Sequence, residues 1–552
     1  MKIKEKNLCL KKSKIYNLLF CIIVFLLCCI MIYFVNKKNG FHADEMFSYG
    51  SSNYKYDNVF QPYGDRDYIN KFINENIKSI NDIIFYIANP QEFTEKLNEI
   101  EAQEEPVWKT NEEAIEYMTV QSDEIFDFFS IFYNQSRDAH PPLFYYFVHI
   151  ISCFYLNRFS KYIIFIINIS SFIGLNILIK KIFELLDKKY LVLPTVITYG
   201  LSIGCVSTIM FQRMYMLLAF FIVYYTYICI KILKNNCIID KKIKHQLSII
   251  TILGFLTHYY FCLYAFVMMI VVGIQLYKTR GKHELIKLFL YNIKLAFIGI
   301  LIFPACIYHI FFSYRGVTSI SNEYSVIDYF RLLANAFSLN LAILCIILII
   351  FFIISIIKVK KKHDTIELTL LISFLVFIII SSKISPYLEM RYIMGILPIF
   401  AILLWESLDY LIKNSSKYIF VVISVLIISF LGISLKENEP LYLYSDYVQN
   451  IKIANENYNI KFIYIEDNSY NHIQSMPEFM IYENSLIINT SRDELKYLEK
   501  NKGLVNENSF IVSIKKYMDV NEIIEKIINL TNFENYNILL DGDENILYKF
   551  YL

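Results

Sequence analysis

Apolar residues run along this chain in long unbroken stretches, without the alternation of a half-buried strand or the narrow stripe of a surface helix. Eleven such stretches, at residues 15–35, 162–179, 190–211, 214–230, 246–257, 259–277, 295–312, 337–357, 368–382, 393–412 and 418–434, predict helices that are apolar all round. About 20 such residues span the hydrocarbon core of a bilayer, where a helix satisfies every backbone polar group internally. The stretch 246–257 is short. Joined to 259–277 it would make a single helix of 32 residues, roughly 48 Å long at 1.5 Å per residue, so two passes turning near His258 fit better.

The polar positions between the stretches orient them. Six lysines precede Tyr16, and 21 uncharged residues follow at 15–35. That run is long enough to span and no small-residue cleavage site follows it, which predicts a retained helix and not a signal peptide. With the N-terminus in the cytoplasm, alternate loops hold Lys180, Lys181, Lys188 and Lys189; five lysines in 231–244; Lys278, Arg280, Lys282 and Lys287; Lys358 to Lys362; and Lys413 and Lys417. All of these fall inside, while the loops near 212, 258, 313–333 and 383–391 are poor in basic residues, the asymmetry that sets orientation. Segment 141–157 (PPLFYYFVHIISCFYLN) is also apolar enough to span, but counting it would carry four lysine clusters outside. It is expected to lie in the interface as a juxtamembrane helix, where its aromatics and His149 are at home.

The expected fold class is therefore a polytopic α-helical membrane protein of about eleven transmembrane helices, with a large outer loop and a small C-terminal extracytoplasmic α/β domain. Its parts are a cytoplasmic N-terminus at 1–14, a first transmembrane helix at 15–35, an extracytoplasmic loop at 36–158, a helix bundle at 159–435 and an extracytoplasmic domain at 436–552. The loop is far longer than a connector needs to be. Between Gln91 and Asp127 it holds twelve acidic residues against Lys96 and Lys109, the pattern of a solvated helical insertion or of a surface for cations or a partner. Beyond Lys436, short apolar strands (Lys461 to Ile465, Ser485 to Ile488, Phe510 to Ile514, Asn537 to Leu540, Ile546 to Phe550) alternate with polar helical stretches such as Arg492 to Lys500 and Val520 to Leu530, which predicts an α/β domain. It has no glycine-rich phosphate loop and no nucleophile elbow, and its expected role is accessory, in acceptor binding or support.

Composition narrows the class further. With 56% hydrophobic residues among 552 and mean hydropathy +0.41, the chain is too apolar for a soluble protein of this size. Net charge is +2, and the basic residues form short clusters between apolar runs, so nucleic acid is not an expected partner. All eleven cysteines lie in or beside apolar segments, with none in 346–552 and no CxxC pair, so neither a disulfide framework nor a cysteine metal site is implied.

Two clusters carry candidate chemistry. HADEMFSYGS (42–51) places Asp44 and Glu45 just beyond the first helix, and SRDAHPPLFYYFVH (136–149) supplies Arg137, Asp138 and His140 before Pro141 and Pro142, whose fixed φ sets how the chain enters the next helix. Helix-end polarity alone would account for the first cluster, but not for both. These patterns resemble the GT-C glycosyltransferases, in the glycosyltransferase family 39-like group that contains protein O-mannosyltransferases and the bacterial aminoarabinose transferase. That group carries an Asp-Glu pair after the first helix, an Asp-x-His-Pro-Pro-Leu element in the same loop and an Arg opening the next membrane helix. The matches are Asp44 and Glu45, then Asp138 to Leu143, then Arg158 in NRFSKY. FQRMYML around Arg213 and Tyr215, LTHYYF around His258 and MRYIMGILP around Arg391 and Tyr392 look like outer-face elements of the bacterial members. The resemblance covers residues 15 to about 435 in order. It departs from the eukaryotic pattern where HPPL is followed by Phe144 and Tyr145, without the Lys of that group, and in the acidic insertion.

The resemblance implies transfer of a sugar from a polyprenyl-phosphate donor to an extracytoplasmic glycan, lipid or protein acceptor of the cell envelope, with inversion, by an enzyme of the cell membrane in contact with its lipids. It makes Asp44 the base, with Glu45 or Asp138 orienting the acceptor or holding a divalent cation, the one cofactor the pattern leaves room for. Arg158, Arg213 and Arg391, with His258 and Arg315, are the candidates for the donor phosphate, and His140, Tyr215 and Tyr392 complete the substrate-binding set. Independent chemistry agrees, since such a transfer needs a base for the acceptor hydroxyl and cations for the departing phosphate. Arginine at a helix end pairs bidentately with phosphate, although it also anchors lipid headgroups. Lys294, Glu406 and Asp409 fall near inner helix ends and are expected to snorkel. A transporter or flippase would place ionisable groups at the midplane and show two related halves, neither of which the sequence displays. A scaffold or sensor would need no carboxylates at the mouth of the first helix.

Overall fold

The computed structural model describes residues 2–57, 59–63, 67–101, 105–313, 324–362, 364–412, 417–467, 470–499, 504 and 507–552. The chain forms two compact units. A helical unit comprises Met1–Lys38, Gln135–Val148 and Ser160–Leu443, and a sheet unit comprises Asn39–Asn134, His149–Phe159 and Tyr444–Leu552.

Among the described residues nine helices are long and apolar enough to cross a membrane: Lys14–Lys37, Tyr162–Leu185, Tyr215–Lys234, Tyr259–Arg280, Lys282–Ile302, Leu341–Lys361, Ile366–Ile384, Met394–Ile412 and Tyr418–Glu437. The first of these lies within α1 (Lys2–Lys37). The pair Lys189–Gly200 and Ile203–Met210 would add one more span bent by 62°. The bend falls where Ser202 starts a new helix, its hydroxyl accepting the Cys205 N–H at 3.1 Å while donating to the Tyr199 carbonyl at 2.7 Å. Lys241–Thr257 is a separate helix of 17 residues, ending at the expected turn at His258. Each of the eleven apolar stretches is thus helical. The stretch expected at 295–312 differs in its bounds, because the helix starts at Lys282 and stops at Ile302. Pro304 has no N–H to continue the ladder and disfavours helical geometry in the residue before it. Leu143–Ser152 has ten residues, about 15 Å, half of what a span requires.

Tyr215–Lys234 is the most enclosed of the nine, packed against Tyr162–Leu185, Lys241–Thr257 and Tyr259–Arg280. Its buried Thr226 is paired, as a hydroxyl away from water must be: Oγ1 meets Tyr264 OH at 2.7 Å. Glu406 and Asp409 do not snorkel. Both are buried, and Lys188 Nζ lies 2.6 Å from Glu406 Oε2 and 3.0 Å from Asp409 Oδ2. Lys358 bonds Glu367 and approaches Glu406 at 3.4 Å, and Ser407 Oγ donates to Glu367 Oε1 at 2.6 Å. Pairing with lysines far away in sequence removes the need to reach water. Lys294, by contrast, is exposed.

The sheet unit is built on six strands in the order β1-β3-β2-β4-β6-β5: β1 Lys109–Thr110, β2 Lys461–Glu466, β3 Asn484–Asn489, β4 Ser509–Lys515, β5 Asn535–Asp541 and β6 Asn545–Tyr551. The central three, β3, β2 and β4, are parallel, and the flanking pairings are antiparallel. The five expected strands are present. The sixth, β1, was not foreseen: two residues from the acidic part of the first long loop join the sheet edge, so the loop and the C-terminal segment fold as one unit. Alternation gives the sheet two different faces. Ile463, Ile465, Leu486, Ile488, Phe510, Val512 and Ile514 pack on helix Val520–Leu530, while the other face is buried and mixed, with Tyr464, Glu466, Ser485, Ser513 and Lys515 among Phe462, Ile487 and Ile511. Within the insertion, Phe72, Ile77, Tyr86 and Ile100 make a small separate core.

Lys358→Met should sharply lower the thermal midpoint in detergent, because it leaves buried Glu367 without its cation while Glu406 keeps Lys188; leaving such a charge unpaired costs about 3–5 kcal/mol. An unchanged midpoint would show that the network carries no stability.

Candidate active site

The expected site residues fall in both units. In the sheet unit, α2 (Ala43–Asn53) opens with a capping box at His42. His42 Nδ1 accepts the Asp44 N–H at 3.1 Å, which leaves the proton of the neutral ring on Nε2, and Glu45 Oε2 accepts the His42 N–H at 2.6 Å. Two of the orphan donors at the helix start are satisfied in this way. The cap separates two carboxylates that the sequence treats alike: Glu45 is fully buried and committed to the cap, whereas the Asp44 side chain, 16% exposed, has its Oδ2 3.9 Å from His42 Nδ1.

The far end of α2 is equally fixed. Asn53 Nδ2 donates to the Met118 carbonyl at 2.9 Å, and Asn134 Nδ2 donates to the Ser51 and Tyr54 carbonyls at 3.3 and 2.7 Å. Gly50 lies against Tyr117, where a Cβ would come within 2.0 Å of the ring. His149 bonds the Ser52 carbonyl through Nδ1 at 2.8 Å. It is buried and not exposed at an interface as expected, and burial pushes its imidazole below the usual histidine range, opposed by the Ser52 and Glu124 carbonyls. Arg158 also belongs to this unit, exposed in the turn that its N–H closes on the Tyr155 carbonyl.

The helical unit gathers Asp138, His140, Arg213, Tyr215, His258, Arg391 and Tyr392. Asp138 Oδ2 is 3.0 Å from His140 Nδ1, and His140 Nε2 is 3.5 Å from Arg213 Nη2. Arginine only donates, so the Nε2 lone pair faces it and the Nδ1–H donates to Asp138. The His258 ring lies 5.7 Å from His140, 5.5 Å from Tyr215 and 5.0 Å from Tyr260. Tyr260 lies 5.8 Å from Tyr392. The Arg391 guanidinium stacks over Tyr392 and Tyr387 at 5.3 and 5.8 Å and donates to Glu389 Oε1 at 2.9 Å. His140, Arg213, His258 and Arg391 are all buried.

The three downstream elements sit at breaks between helices. Arg213 occupies the short gap before Tyr215–Lys234, where Asn168 Nδ2 satisfies the Ile209 and Phe211 carbonyls at 3.0 and 3.2 Å. Gln212 Nε2 donates to the Lys161 carbonyl at 2.8 Å. His258 caps the helix that follows, accepting the Tyr260 N–H at 3.1 Å, and Arg391 lies in a short 3-10 turn.

Several members were missed from the sequence. Tyr260 and Glu389 stand beside motif residues and their proximity was the available signal. His309, which bridges Tyr259 OH at 2.8 Å and the Ser136 carbonyl at 3.1 Å, lies in an apolar stretch without one. Buried Lys38 donates to the Tyr442 carbonyl, and Lys161 donates to the Lys38 carbonyl, each at 2.5 Å. Burial, and then the Lys38 charge, hold the Lys161 ammonium below the usual lysine range. Arg315 lies outside the described residues. Among the described residues no group of three or more His, Cys, Asp or Glu is placed to hold a metal ion.

A bundle of apolar helices, a capped carboxylate helix after the first span and a small mixed sheet at the end make up a fold that is shared with solved structures. The crystal structure of ArnT from Cupriavidus metallidurans bound to undecaprenyl phosphate matches with a TM-score of 0.50 at 9% identity, over 97% of this chain and 98% of that one. The same protein in the apo state gives a TM-score of 0.43 at 9% identity, over 74% and 87%. At this identity the likeness is one of fold. No protein-family model matches the chain, and no curated protein does.

Glu45→Ala should expose the start of α2, speeding hydrogen exchange across residues 43–53, since a hydrogen bond to a charged group contributes roughly 1.5–3 kcal/mol. Asp44→Asn, outside the capping pair, should leave that protection in place. Equal loosening by both would erase the distinction between the two carboxylates.

Proposed function

We propose that this protein is a membrane glycosyltransferase that moves a sugar from a polyprenyl-phosphate donor to a hydroxyl acceptor on the extracytoplasmic face. The observation that carries this reading is the Asp138–His140–Arg213 cluster, in which His140 and Arg213 are buried, with His258 and Arg391 in the same unit, in a chain 97% of which follows the fold of a protein crystallised with undecaprenyl phosphate. Arginines held in fixed geometry away from water suit a phosphate that gains charge as its bond to the sugar breaks. Arg213 and Arg391 take that role, with His140, Tyr215, His258 and Tyr392 at the donor end, and Arg158, exposed in the sheet unit, is a further candidate cation. Asp138 sets the tautomer and orientation of His140.

Asp44 takes the proton of the acceptor hydroxyl. As the acceptor oxygen bonds the anomeric carbon, the carbon–phosphate oxygen bond breaks and polyprenyl phosphate leaves with the electron pair, inverting the anomeric centre. With Glu45 holding the cap, Asp44 is the member of the pair that suits the task, and a divalent cation is not needed to write the step. The lysine-poor side of the bundle, which holds Arg213, His258 and Arg391, faces outward, and so does the sheet unit.

The test measures transfer from a panel of labelled undecaprenyl-phosphate sugars to cell-envelope extract. Asp44→Asn should lower turnover by about two to four orders of magnitude while binding undecaprenyl phosphate normally. Arg213→Ala, Arg391→Ala and Arg158→Ala should each weaken that binding about tenfold or more, since a lost charge-assisted bond costs roughly 1.5–3 kcal/mol. No transfer by the wild type from any donor would move the weight to a lipid transporter. A separate experiment tests orientation: protease added to intact spheroplasts should cut within residues 440–552, and protection of that segment would reverse the proposed topology.

A further inference from the structure

Residues 39–60, which carry Asp44, are gripped by the C-terminal chain at three places within the sheet unit. Before α2, Asn39 Nδ2 donates to the Ser445 carbonyl at 2.9 Å, and Gly40 lies so close to Tyr444 and Tyr447 that a Cβ would meet them at 2.7 and 2.9 Å. Within α2, the Phe47 ring meets Tyr470 edge to face at 6.3 Å. Phe47 is three positions after Asp44, so the two share a side of the helix. After α2, His472 Nε2 bonds the Phe60 carbonyl at 2.9 Å.

The gripping residues are themselves held within the sheet unit, by the helix Met476–Phe479 and by the end of β2. Tyr447 OH donates to Glu478 Oε2 at 2.5 Å, and Asn450 Nδ2 donates to Glu478 Oε1 at 3.1 Å. Glu466, the last residue of β2, accepts the His472 N–H at 2.9 Å and has both carboxylate oxygens 3.2 Å from His472 Nδ1. The Phe60 carbonyl only accepts, so His472 Nε2 carries a proton. His472 and Glu466 are both buried, where a bond of this kind holds its geometry without competition from water.

We infer that the C-terminal module acts as a clamp that positions Asp44, with Tyr447, Tyr470 and His472 as positioning residues for sugar transfer, and that it does not serve as an acceptor-binding domain. This rests on the reading of Asp44 as the base. A base displaced by about 1 Å loses on the order of a hundredfold in rate, so a helix carrying one gains from being held before, within and after its length.

The test uses the full-length protein in nanodiscs, with undecaprenyl phosphate and a labelled undecaprenyl-phosphate sugar as probes. Tyr470→Ala and His472→Ala should each speed hydrogen exchange across 43–53 about tenfold and lower kcat about ten- to a hundredfold. Acceptor KM and undecaprenyl phosphate affinity should not change, and Tyr470→Phe, which keeps the ring, should restore both rate and protection. In an Asp44→Asn background, His472→Ala should cost less than about twofold more, because no base remains to be positioned. Unchanged exchange in both alanine variants would overturn the clamp. A rise in acceptor KM with kcat intact would overturn it in favour of acceptor binding. Wild-type turnover by Asp44→Asn would remove the base itself, and the exchange measurement would still report on the clamp.

Discussion

The hydrocarbon of a bilayer offers no partner to a backbone carbonyl or to a charge, and most of this structure follows from that. Continuous helices are the only form the apolar stretches can take there. Every interruption must then be repaired by a side chain, as Asn168 repairs the carbonyls of residues 209 and 211 and Ser202 repairs the bend before Ile203. Charges within the bundle survive by pairing: Lys188 and Lys358 between them engage Glu367, Glu406 and Asp409.

The interruptions are also where the candidate chemistry sits. Arg213, His258 and Arg391 each occupy a break between helices, where a side chain is presented by backbone already held in place by its neighbours. Helix Met394–Ile412 begins just after Arg391 and carries Glu406 and Asp409 towards its other end. Its two ends therefore bear different polar clusters, a closed ion network at one and a group of guanidinium, imidazole and phenol side chains at the other. The closed network suits anchoring. The second group mixes Arg391 with aromatic faces, a setting in which guanidinium keeps its donors ordered for an anion.

The sheet unit obeys the same constraint on buried polar groups. One face of the sheet is an apolar core against a helix, and the other is buried and mixes polar with apolar side chains. A buried polar group is costly unless it finds a partner. Here Glu466 and Glu478 find theirs in His472, Tyr447 and Asn450, and through them grip the segment that bears Asp44.

By itself the sequence determined what depends on near neighbours. The uniform apolar stretches specify helices because lipid permits little else, the short apolar runs between polar ones beyond Lys436 specify strands, and His258 marks a turn between two helices, whereas the breaks at Ser202 and Pro304 went unread inside stretches expected to be continuous. Motif residues such as Asp138, His140 and Arg213 were legible as types in an order. Only tertiary structure could decide which side chains meet. Glu406 finds Lys188 across 218 positions, His472 finds Phe60 across 412, and β1 joins a strand near residue 485. No local pattern distinguishes a charge that will be paired from one that must reach water, and so Glu406 and Asp409 read as snorkelling residues. Nor does composition separate Asp44 from Glu45. The distinction lies in which carboxylate the helix start uses for its own hydrogen bonds, a matter of geometry three residues long that becomes visible only once the helix has formed.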